Sequence, residues 1–483
     1  MGLRAYDKYS GMSTDVHAWK RENMRGYCYR RFWLPIWLMS TIVGAGAFAG
    51  REVAAQASIQ TYFTQPVCGP YPYSIPLLTV SGDVLREKPR DTYCLPRDAL
   101  SNKKNELRKR FFSALDGSRQ ITDVWIYVFA FNDVELADQL CTLATRNASR
   151  ITLVSASGER DLEDNDAIFP AVEHVLKCRN KLPPDKQHLI RAAQVVGGVG
   201  GMVSFHPKLY MVRYADGTGT LITSSGHPGK GMSVNFEHWQ FLELGEKDGT
   251  WQLHRCFGRA LELIGFDKVG LRDTRTILAQ CGRTGQDAKL RAFFLPFERQ
   301  RALAALSDLI GKSRTIDIAV FSAGNESIVY ALKKAIEHGA AVRLLLDDDV
   351  YWHTRYACAT CKARRGEFES WVYPLLERGA QVRLLETNHH CAVNLMHHKF
   401  VVFSGADGRK TVLFGSANFS ESAYGALDVD DLRGNVEQVY TSQEQSVSAS
   451  FSKEFERLWG LATVLGQMPK ATDPAAPTHT GCQ

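Results

Sequence analysis

The sequence predicts an α/β protein with two similar lobes, each containing a mixed, largely parallel sheet flanked by helices. Three observations support this fold class. A strand–helix–strand pattern occurs twice, each copy is preceded by a short Phe-containing segment ending in Pro, and a His-x-Lys motif follows each copy. A strand–helix–strand unit favours parallel strands, because the crossover helix returns the chain to the same end of the sheet.

The individual elements follow from side-chain periodicity. Runs of β-branched and aromatic residues predict strands, whereas apolar residues three and four apart predict helices. The first half gives strand 121–131, helix 134–145 and strand 151–154, and the second gives strand 315–322, helix 328–338 and strand 342–346. The opening segments are Phe63-Thr64-Gln65-Pro66 and Phe293-Phe294-Leu295-Pro296.

The bulk composition is that of an ordinary globular protein. The 483 residues are 45% apolar and 23% charged, which leaves room for two or three domains. The formal net charge of +6 is a mild basic excess. It is compatible with a phosphate-bearing substrate but does not require one.

The N-terminus predicts a targeting segment. Residues 32–50 carry no charge, and Arg25, Arg30 and Arg31 lie just before them. Ala55-Gln56-Ala57 gives a small-x-small cleavage pattern, so we expect a signal peptide, with a retained membrane anchor as the alternative. In both cases the body of the protein would be exported, either to the periplasm or out of the cell.

The predicted domain boundaries follow from these features. Residues 1–57 form the targeting segment or anchor, residues 58–265 the first lobe and residues 266–290 a polar connector. Residues 291–465 form the second lobe. The Pro-, Ala- and Thr-rich tail, residues 466–483, is expected to be disordered.

The eleven cysteines allow disulfides in an exported chain. Cys68 and Cys94 flank a Pro-rich stretch and form one candidate pair. Cys358 and Cys361 form a C-x-x-C motif, followed by His389, His390 and Cys391. This second group is compatible with a zinc site, a disulfide or buried free thiols.

Two His-x-Lys motifs are the basis of the functional prediction. His206 and Lys208 begin one apolar run, and His397 and Lys399 begin another. Residues two apart on a strand point to the same face, so each His should share a face with its Lys, and His398 should point away. One such motif carries little information, but two copies with the same later features indicate a repeated site.

Each motif is followed by a hairpin, a Ser-containing turn and an Asn-x-Glu sequence. The turns are Thr223-Ser224-Ser225-Gly226 and Gly415-Ser416-Ala417-Asn418. The later sequences are Asn235-Phe236-Glu237 and Asn435-Val436-Glu437. The agreement in order between the two halves makes a chance origin for the motifs a poor explanation.

These motifs resemble the H-x-K-(x)4-D and G-S-x-N motifs of the phospholipase D superfamily. In the second lobe MHHKFVVF and LFGSANFS are close to them, whereas FHPKLYMV and ITSSGHPGKGMSVNFE in the first lobe resemble them more loosely. The resemblance covers most of residues 59–460. It implies two pseudo-symmetric α/β sandwich lobes that build one site.

The sequence departs from the superfamily pattern in both halves. The Asp expected five residues after each Lys is Arg213 in the first lobe and Ser404 in the second. Asp216 and Asp407 lie three residues further on, and whether they replace the missing carboxylate is left open. With Ser224 aligned to the superfamily Ser, Gly226 stands in place of Asn and would remove a side-chain donor.

The resemblance implies phosphodiester hydrolysis through a covalent phosphohistidine, without cofactor or metal. By analogy His206 is the expected nucleophile and His397 the expected acid, which protonates the leaving alcohol and later activates water. Lys208 and Lys399 would neutralise the phosphoryl oxygens.

Further site residues follow from the same resemblance. Glu237 and Glu437 would each accept a hydrogen bond from the far nitrogen of a catalytic His. The residues expected to bind the substrate phosphate are Ser224, Ser416, Asn418, Asn235 and Asn435.

The expected substrate is a phospholipid head-group phosphodiester, hydrolysed at a membrane surface by a monomer that carries both half-sites. Tyr351, Trp352 and Tyr356 would line the entrance. An exported, metal-independent endonuclease is the alternative, because the basic stretch 103–110 suits a nucleic-acid backbone. A degenerate phosphate- or lipid-binding protein without catalysis is the second alternative.

Overall fold

A computed structural model describes most of the chain between residues 59 and 465. The described residues are 59–64, 66–68, 76–78, 84–87, 94–95, 106–156, 169–197, 202–229, 232, 235–281, 290–347, 371–385, 395–425 and 432–465. The predicted targeting segment, the C-terminal tail and the aromatic residues 351–356 lie outside these ranges. Within them, each helix is too short or too polar to cross a membrane.

The strands are β1 (Ile59–Phe63), β2 (Val67–Cys68), β3 (Pro76–Leu78), β4 (Val84–Glu87), β5 (Cys94–Leu95), β6 (Ile121–Val128), β7 (Arg150–Ala156), β8 (Ile190–Val195), β9 (Met202–Phe205), β10 (Lys208–Tyr214), β11 (Thr218–Ser224), β12 (His238–Gly245), β13 (Leu290–Leu295), β14 (Ser313–Val320), β15 (Ala341–Asp347), β16 (Gln381–Leu385), β17 (Lys399–Gly405), β18 (Lys410–Gly415), β19 (Gly434–Ser442) and β20 (Thr463–Val464).

The α-helices are α1 (Glu106–Ser113), α2 (Val134–Asn147), α3 (Pro170–Lys181), α4 (Gly249–Phe266), α5 (Leu271–Ala279), α6 (Arg299–Lys312), α7 (Glu326–Glu337), α8 (Tyr373–Leu376), α9 (Glu421–Tyr424) and α10 (Gln445–Leu461).

A mixed sheet lies at the centre of each lobe. The first has the strand order β1-β12-β11-β10-β6-β7-β8, and the second has the order β13-β19-β18-β17-β14-β15-β16-β20. Strands β6, β7 and β8 are parallel, as are β14, β15 and β16. The predicted fold class is confirmed. The described pairings are nevertheless mostly antiparallel, because hairpins such as β10–β11 and β17–β18 join the same sheets.

The repeat predicted from the sequence is present in the fold. Helices α2 and α7 follow corresponding strands and begin with corresponding caps: Asp133 accepts a hydrogen bond from the Leu136 amide, and Asn325 accepts one from Ile328, both at 3.2 Å. These side chains satisfy a free amide in the first helical turn. The opening segments also correspond, since β1 lies beside β12 and β13 beside β19.

Buried apolar side chains form an outer layer in each lobe and a third layer between the two sheets. Helices α4 and α10 contribute to the middle layer. Phe257 of α4 stacks on Phe294 of β13, with ring centroids 4.0 Å apart and planes at 11°. This contact joins the two lobes directly, because its partners come from either side of the predicted connector.

The cysteines give one pair that the sequence analysis did not identify. A disulfide between Cys256 and Cys281 ties α4 to the residues after α5, a helix inside the predicted connector. Cys68 and Cys94 lie opposite each other on the paired strands β2 and β5. The cysteine and histidine group at residues 358–391 lies outside the described residues.

Replacing Phe257 with Ala should lower the free energy of unfolding by about 3–5 kcal/mol, because a buried aromatic ring is lost and a cavity remains. Denaturant unfolding measures this change. The control is Tyr330→Ala, at a side chain that is 64% exposed, where we expect a change within about 0.5 kcal/mol. Equal effects of the two substitutions would mean that the Phe257–Phe294 stack does not hold the lobes together.

Candidate active site

The two His-x-Lys motifs occupy corresponding positions. Lys208 is the first residue of β10 and Lys399 the first of β17, and both side chains are buried. The Lys208 ammonium lies 3.0 Å from His206 Nε2, so these two side chains share a face, as predicted. The Lys399 ammonium donates to the His397 carbonyl at 2.8 Å.

Backbone hydrogen bonds connect each motif to the opposite lobe. The His206 amide donates to the Val436 carbonyl at 3.1 Å, and the His397 amide donates to the Phe236 carbonyl at 2.9 Å. Strand β9, just before His206, runs parallel to β19, and Phe236 forms a parallel bridge with Met396. The segment before each His therefore pairs with the segment that carries the Glu of the other lobe.

This crossed pairing brings each imidazole to the carboxylate of the opposite lobe. His206 Nδ1 lies 2.7 Å from Glu437 Oε1, at hydrogen-bonding distance. His397 Nδ1 lies 3.3 Å from Glu237 Oε1, without hydrogen-bond geometry. The predicted His–Glu hydrogen bond is thus present between His206 and Glu437, whereas His397 and Glu237 lie close together without forming one.

The Glu437 carboxylate is fixed by further donors. Asn435 Nδ2 donates to its Oε1 at 3.2 Å, and Ser416 Oγ donates to its Oε2 at 2.5 Å. In the first lobe Asn235 Nδ2 donates to Glu237 Oε1 at 3.2 Å. Among the described residues, Glu237 Oε2 has no hydrogen-bond partner.

These contacts correct part of the predicted phosphate-binding set. Ser416, Asn235 and Asn435 donate to the carboxylates behind the histidines, and Ser224 donates to the Gly226 carbonyl at 2.7 Å. The single hydroxyl proton of Ser416 or Ser224 is therefore not free for a phosphate oxygen, whereas the Nδ2 of Asn235 and of Asn435 keeps a second N–H. Asn418, Asn235 and Asn435 remain predicted phosphate ligands.

The hydrogen bonds also shift the alignment of the first-lobe turn by one residue. The Ser225 amide donates to the His238 carbonyl and Ser225 Oγ accepts from the His238 amide, both at 3.0 Å. Ser416 makes the same two contacts with Gln438, at 2.9 and 3.0 Å. Ser225, not Ser224, is therefore the counterpart of Ser416.

With this alignment Gly226 corresponds to Ala417 and His227 to Asn418. A Cβ atom on Gly226 would lie 1.7 Å from Glu237 Oε2, so the absence of a side chain makes room for the carboxylate. The expectation that Gly226 marks a lost Asn is therefore wrong. The residue in the Asn position is His227.

Burial controls the protonation of the first half-site. It lowers the pKa of His206 to about 4, although the nearby Glu437 acts in the opposite direction. It also lowers the pKa of Lys208 to about 7. In the free protein near neutral pH, the imidazole is neutral and the ammonium is close to its titration point.

Burial also controls the protonation of the second half-site. Burial and the neighbouring Lys399 hold the pKa of His397 well below its usual value. Burial and Lys208 do the same to the pKa of Lys399, and burial raises the pKa of Glu237 to about 7. The mutual influence of these groups indicates one shared pocket, and an anion entering it would stabilise the protonated lysines.

Several supporting residues were missed from the sequence. Phe129 packs edge-on against His206 with ring centroids 5.2 Å apart, and Phe321 packs against His397 at 5.4 Å. Each Phe directly follows the first strand of its lobe's βαβ unit, a repeat visible in the sequence. Asp347 Oδ2 accepts the Met396 amide at 2.6 Å and holds the residue before His397.

Other polar residues lie away from the pocket. Asp216 pairs with Arg119 at 2.9 Å, and Asp407 accepts the Arg409 amide at 3.0 Å within its turn. Both turns lie at the far ends of β10 and β17, roughly 20 Å along the strand from each Lys. These carboxylates therefore do not replace the missing Asp residues.

His398 points away from the pocket, as predicted. It is buried against His238, with ring centroids 5.6 Å apart and planes at 8°, and its Nε2 lies 3.4 Å from Glu454 Oε1. The described residues contain no cluster of His, Cys, Asp and Glu suited to holding a metal ion.

Comparison with known proteins identifies the family. Residues 306–459, within the second lobe, match the family described as "Cardiolipin synthase, PLD-like domain". The first lobe repeats the same motifs. The match confirms the resemblance to the phospholipase D superfamily that the motifs predicted.

The curated relatives include mitochondrial cardiolipin hydrolases of Xenopus laevis and Chlamydomonas reinhardtii. The former is 29% identical over 154 residues, covering 32% of this chain and 59% of the relative. The latter is 28% identical over 161 residues, covering 33% and 58%. The chain thus spans less than three fifths of these superfamily relatives. Because they are named as mitochondrial, they contradict the expectation of export, which is wrong.

Solved structures similar to this chain include phosphatidylserine synthase of Haemophilus influenzae. Its TM-score is 0.49 at 11% identity, covering 77% of this chain and 89% of that one. Nuc of Salmonella typhimurium, a phospholipase D family member, has a TM-score of 0.26 at 17% identity and covers 36% and 96%.

Replacing Glu437 with Gln should lower the pKa of His206 further below about 4, because the carboxylate charge raises it. Nitrogen-15 NMR titration of the histidines measures the change. Glu454→Gln is the matched control, since Glu454 contacts His398 and not His206. An unchanged His206 titration in the Glu437 variant would show that the crossed carboxylate does not govern this imidazole.

Proposed function

We propose that the chain is a phosphodiesterase of the phospholipase D type, which hydrolyses a phospholipid head-group phosphodiester through a covalent phosphohistidine. The main support is the pair of imidazole–lysine motifs, each backed by a carboxylate from the opposite lobe. This arrangement supplies a nucleophile, a proton donor and cations for one phosphate.

His206 suits the nucleophilic role. Its Nδ1 donates to the firmly held Glu437, so Nε2 carries the lone pair. The Lys208 ammonium lies 3.0 Å from Nε2 and releases this lone pair when it turns to a phosphate oxygen. With a pKa of about 4, the ring is neutral over most of the working pH range. In the first step an Nε2–phosphorus bond forms, and the bond from phosphorus to the head-group oxygen breaks.

His397 suits the role of general acid. Below pH 7 the Glu237 carboxyl, with its pKa raised to about 7, holds a proton beside the Nδ1 of the neutral His397. His397 Nε2–H gives its proton to the departing alcohol, and Nδ1 takes up the carboxyl proton. In the second step His397 accepts a proton from water, which attacks phosphorus and breaks the bond to His206.

Lys208 and Lys399 stabilise the charge on the nonbridging phosphoryl oxygens. Both ammonium groups are buried, so their interaction with a bound anion is stronger than it would be in water. The negative charge of the phosphate also raises the pKa of each lysine and holds it in the cationic form.

The ion pairs formed by the basic stretch 103–110 favour a lipid substrate over a nucleic acid. The described part of this stretch carries Arg108 paired with Asp133 at 2.6 Å, Lys109 paired with Glu106 at 2.6 Å, and Arg110 paired with Glu243 at 3.0 Å. Paired cations offer little attraction to a phosphate backbone. The names of the curated relatives also support a phospholipid, with cardiolipin the first to test.

The direct test incubates the full chain with vesicles containing labelled cardiolipin or phosphatidylcholine, and separately with plasmid DNA, each with and without EDTA. Phosphatidate release without plasmid nicking supports the proposal. Nicked plasmid alone would make the chain a nuclease. Loss of all activity on chelation would contradict the metal-free mechanism, and vesicle binding without hydrolysis would favour a degenerate binding protein.

His206→Ala and His397→Ala should each reduce turnover by at least about a thousandfold, because each removes a group that reacts with substrate. His338→Ala, at an exposed histidine on the second lobe, is the matched control and should retain full activity.

An equimolar mixture of the two inactive variants should stay inactive, because one chain supplies both half-sites. Recovery of activity in the mixture would show that the site forms between two copies. Full activity of His206→Ala alone would show that the second lobe works without the first.

The pH dependence of kcat/KM should be bell-shaped, with its maximum between about 4 and about 7. As the pH falls through about 4, His206 gains a proton and loses its nucleophilic lone pair. As it rises through about 7, Lys208 and Glu237 lose their protons in the free protein. A kcat/KM that stays constant from pH 7 to pH 9 would contradict this assignment.

A further inference from the structure

A third histidine faces the pocket from the first lobe. His227 occupies the position that corresponds to Asn418 in the second lobe, two residues after the paired serines Ser225 and Ser416. The two halves therefore present different groups at equivalent places, an imidazole on one side and an amide on the other.

The position of the His227 ring is set by aromatic packing. It lies 5.7 Å from the Phe129 ring, tilted by 38°, and its centroid is 6.4 Å from that of His206. Phe129 thus contacts both imidazoles. Pro228 and Gly229 follow, and Gly229 has a φ of +117°; a Cβ atom on it would lie 3.4 Å from Asn132 Oδ1 and 3.5 Å from Asp133 Cβ. This turn restrains the backbone that carries His227.

The ring has an unused polar atom. Among the described residues no group forms a hydrogen bond with the buried His227 Nδ1, and the same holds for the buried Oδ1 of Asn418. A buried nitrogen without a partner costs free energy unless a ligand or water satisfies it. The Asn418 oxygen can only accept a hydrogen bond, whereas the His227 nitrogen can donate one when it carries a proton. The unpartnered His227 nitrogen is therefore the atom that points to an anionic ligand.

We propose that His227 binds the substrate phosphate by donating a hydrogen bond to a nonbridging oxygen, on the side of the pocket opposite Asn418. The identity of the substrate in this inference rests on the proposed function, whereas the anion site itself does not depend on it. It gives the pocket three imidazoles, of which His206 and His397 react and His227 binds.

An imidazole in this position makes anion binding dependent on pH in a way that an amide does not. In the free protein, burial holds the pKa of His227 well below its usual value, and the charges of Lys208 and His206 lower it further. Other charged or titratable groups around the turn and pocket are Lys399, His397, Glu237, Glu437 and the Arg108–Asp133 ion pair. A bound anion supplies the missing negative charge, so His227 takes up a proton as the anion binds.

The experiment uses inorganic tungstate as a phosphate analogue and the full chain. Calorimetry at pH 6 and pH 8, in buffers of different ionisation enthalpy, gives the affinity and the number of protons taken up. His227→Ala should weaken binding by about tenfold to a hundredfold, as expected for a lost hydrogen bond to a charged ligand. His188→Ala, at an exposed histidine, is the control.

The second variant is His227→Asn, which places at residue 227 the same amide that the second lobe has at residue 418. It should recover most of the affinity at pH 8, yet take up fewer protons per tungstate at pH 6 than the wild type. Thermal unfolding of all variants identifies any that fail to fold, and the Asn variant then carries the comparison. Wild-type affinity in the Ala variant, or wild-type proton uptake in the Asn variant, would overturn the proposal.

Turnover measured in parallel separates this inference from the proposed function. Tungstate binding that depends on His227, in a chain without phosphodiesterase activity, would support the anion site and reject the enzymatic proposal. Suppose instead that the wild type hydrolyses phospholipid and that the Ala variant keeps both this activity and its tungstate affinity. This result would reject the role of His227 and leave the enzymatic proposal intact.

Discussion

The crossed backbone pairing between the two lobes is the constraint on which the site depends. The amide of each catalytic-position histidine donates to a carbonyl of the opposite lobe, next to that lobe's Glu. Backbone pairing fixes the imidazole and carboxylate together, and the hydrophobic layer between the sheets holds both halves in place. Without this crossing each His-x-Lys motif would lack the carboxylate that lies behind its imidazole.

The two halves of the pocket are built alike but are not equivalent. Glu437 accepts from His206, Ser416 and Asn435, whereas Glu237 has a hydrogen bond from Asn235 and a looser contact with His397. A carboxylate with three donors is held in position more firmly than one with a single hydrogen bond. This difference supports the division of labour in which one imidazole attacks and the other transfers protons.

Much of the fold could be predicted from the sequence, because strand and helix periodicity report which faces are buried. The two His-x-Lys motifs were found from the internal repeat, and the roles of both glutamates from the resemblance to the phospholipase D superfamily. The crossed partners could not be predicted, since periodicity identifies the face of a strand and not the segment that it meets. The turn at Ser224 and Ser225 allowed two alignments, and only the contacts with His238 decide between them.

The most direct test is an experimental structure of the full chain with tungstate bound. The account predicts one tungstate between the rings of His206 and His397, with Glu437 behind the first and Glu237 behind the second. Two anions in separate cavities, or His206 paired with the carboxylate of its own lobe, would contradict it.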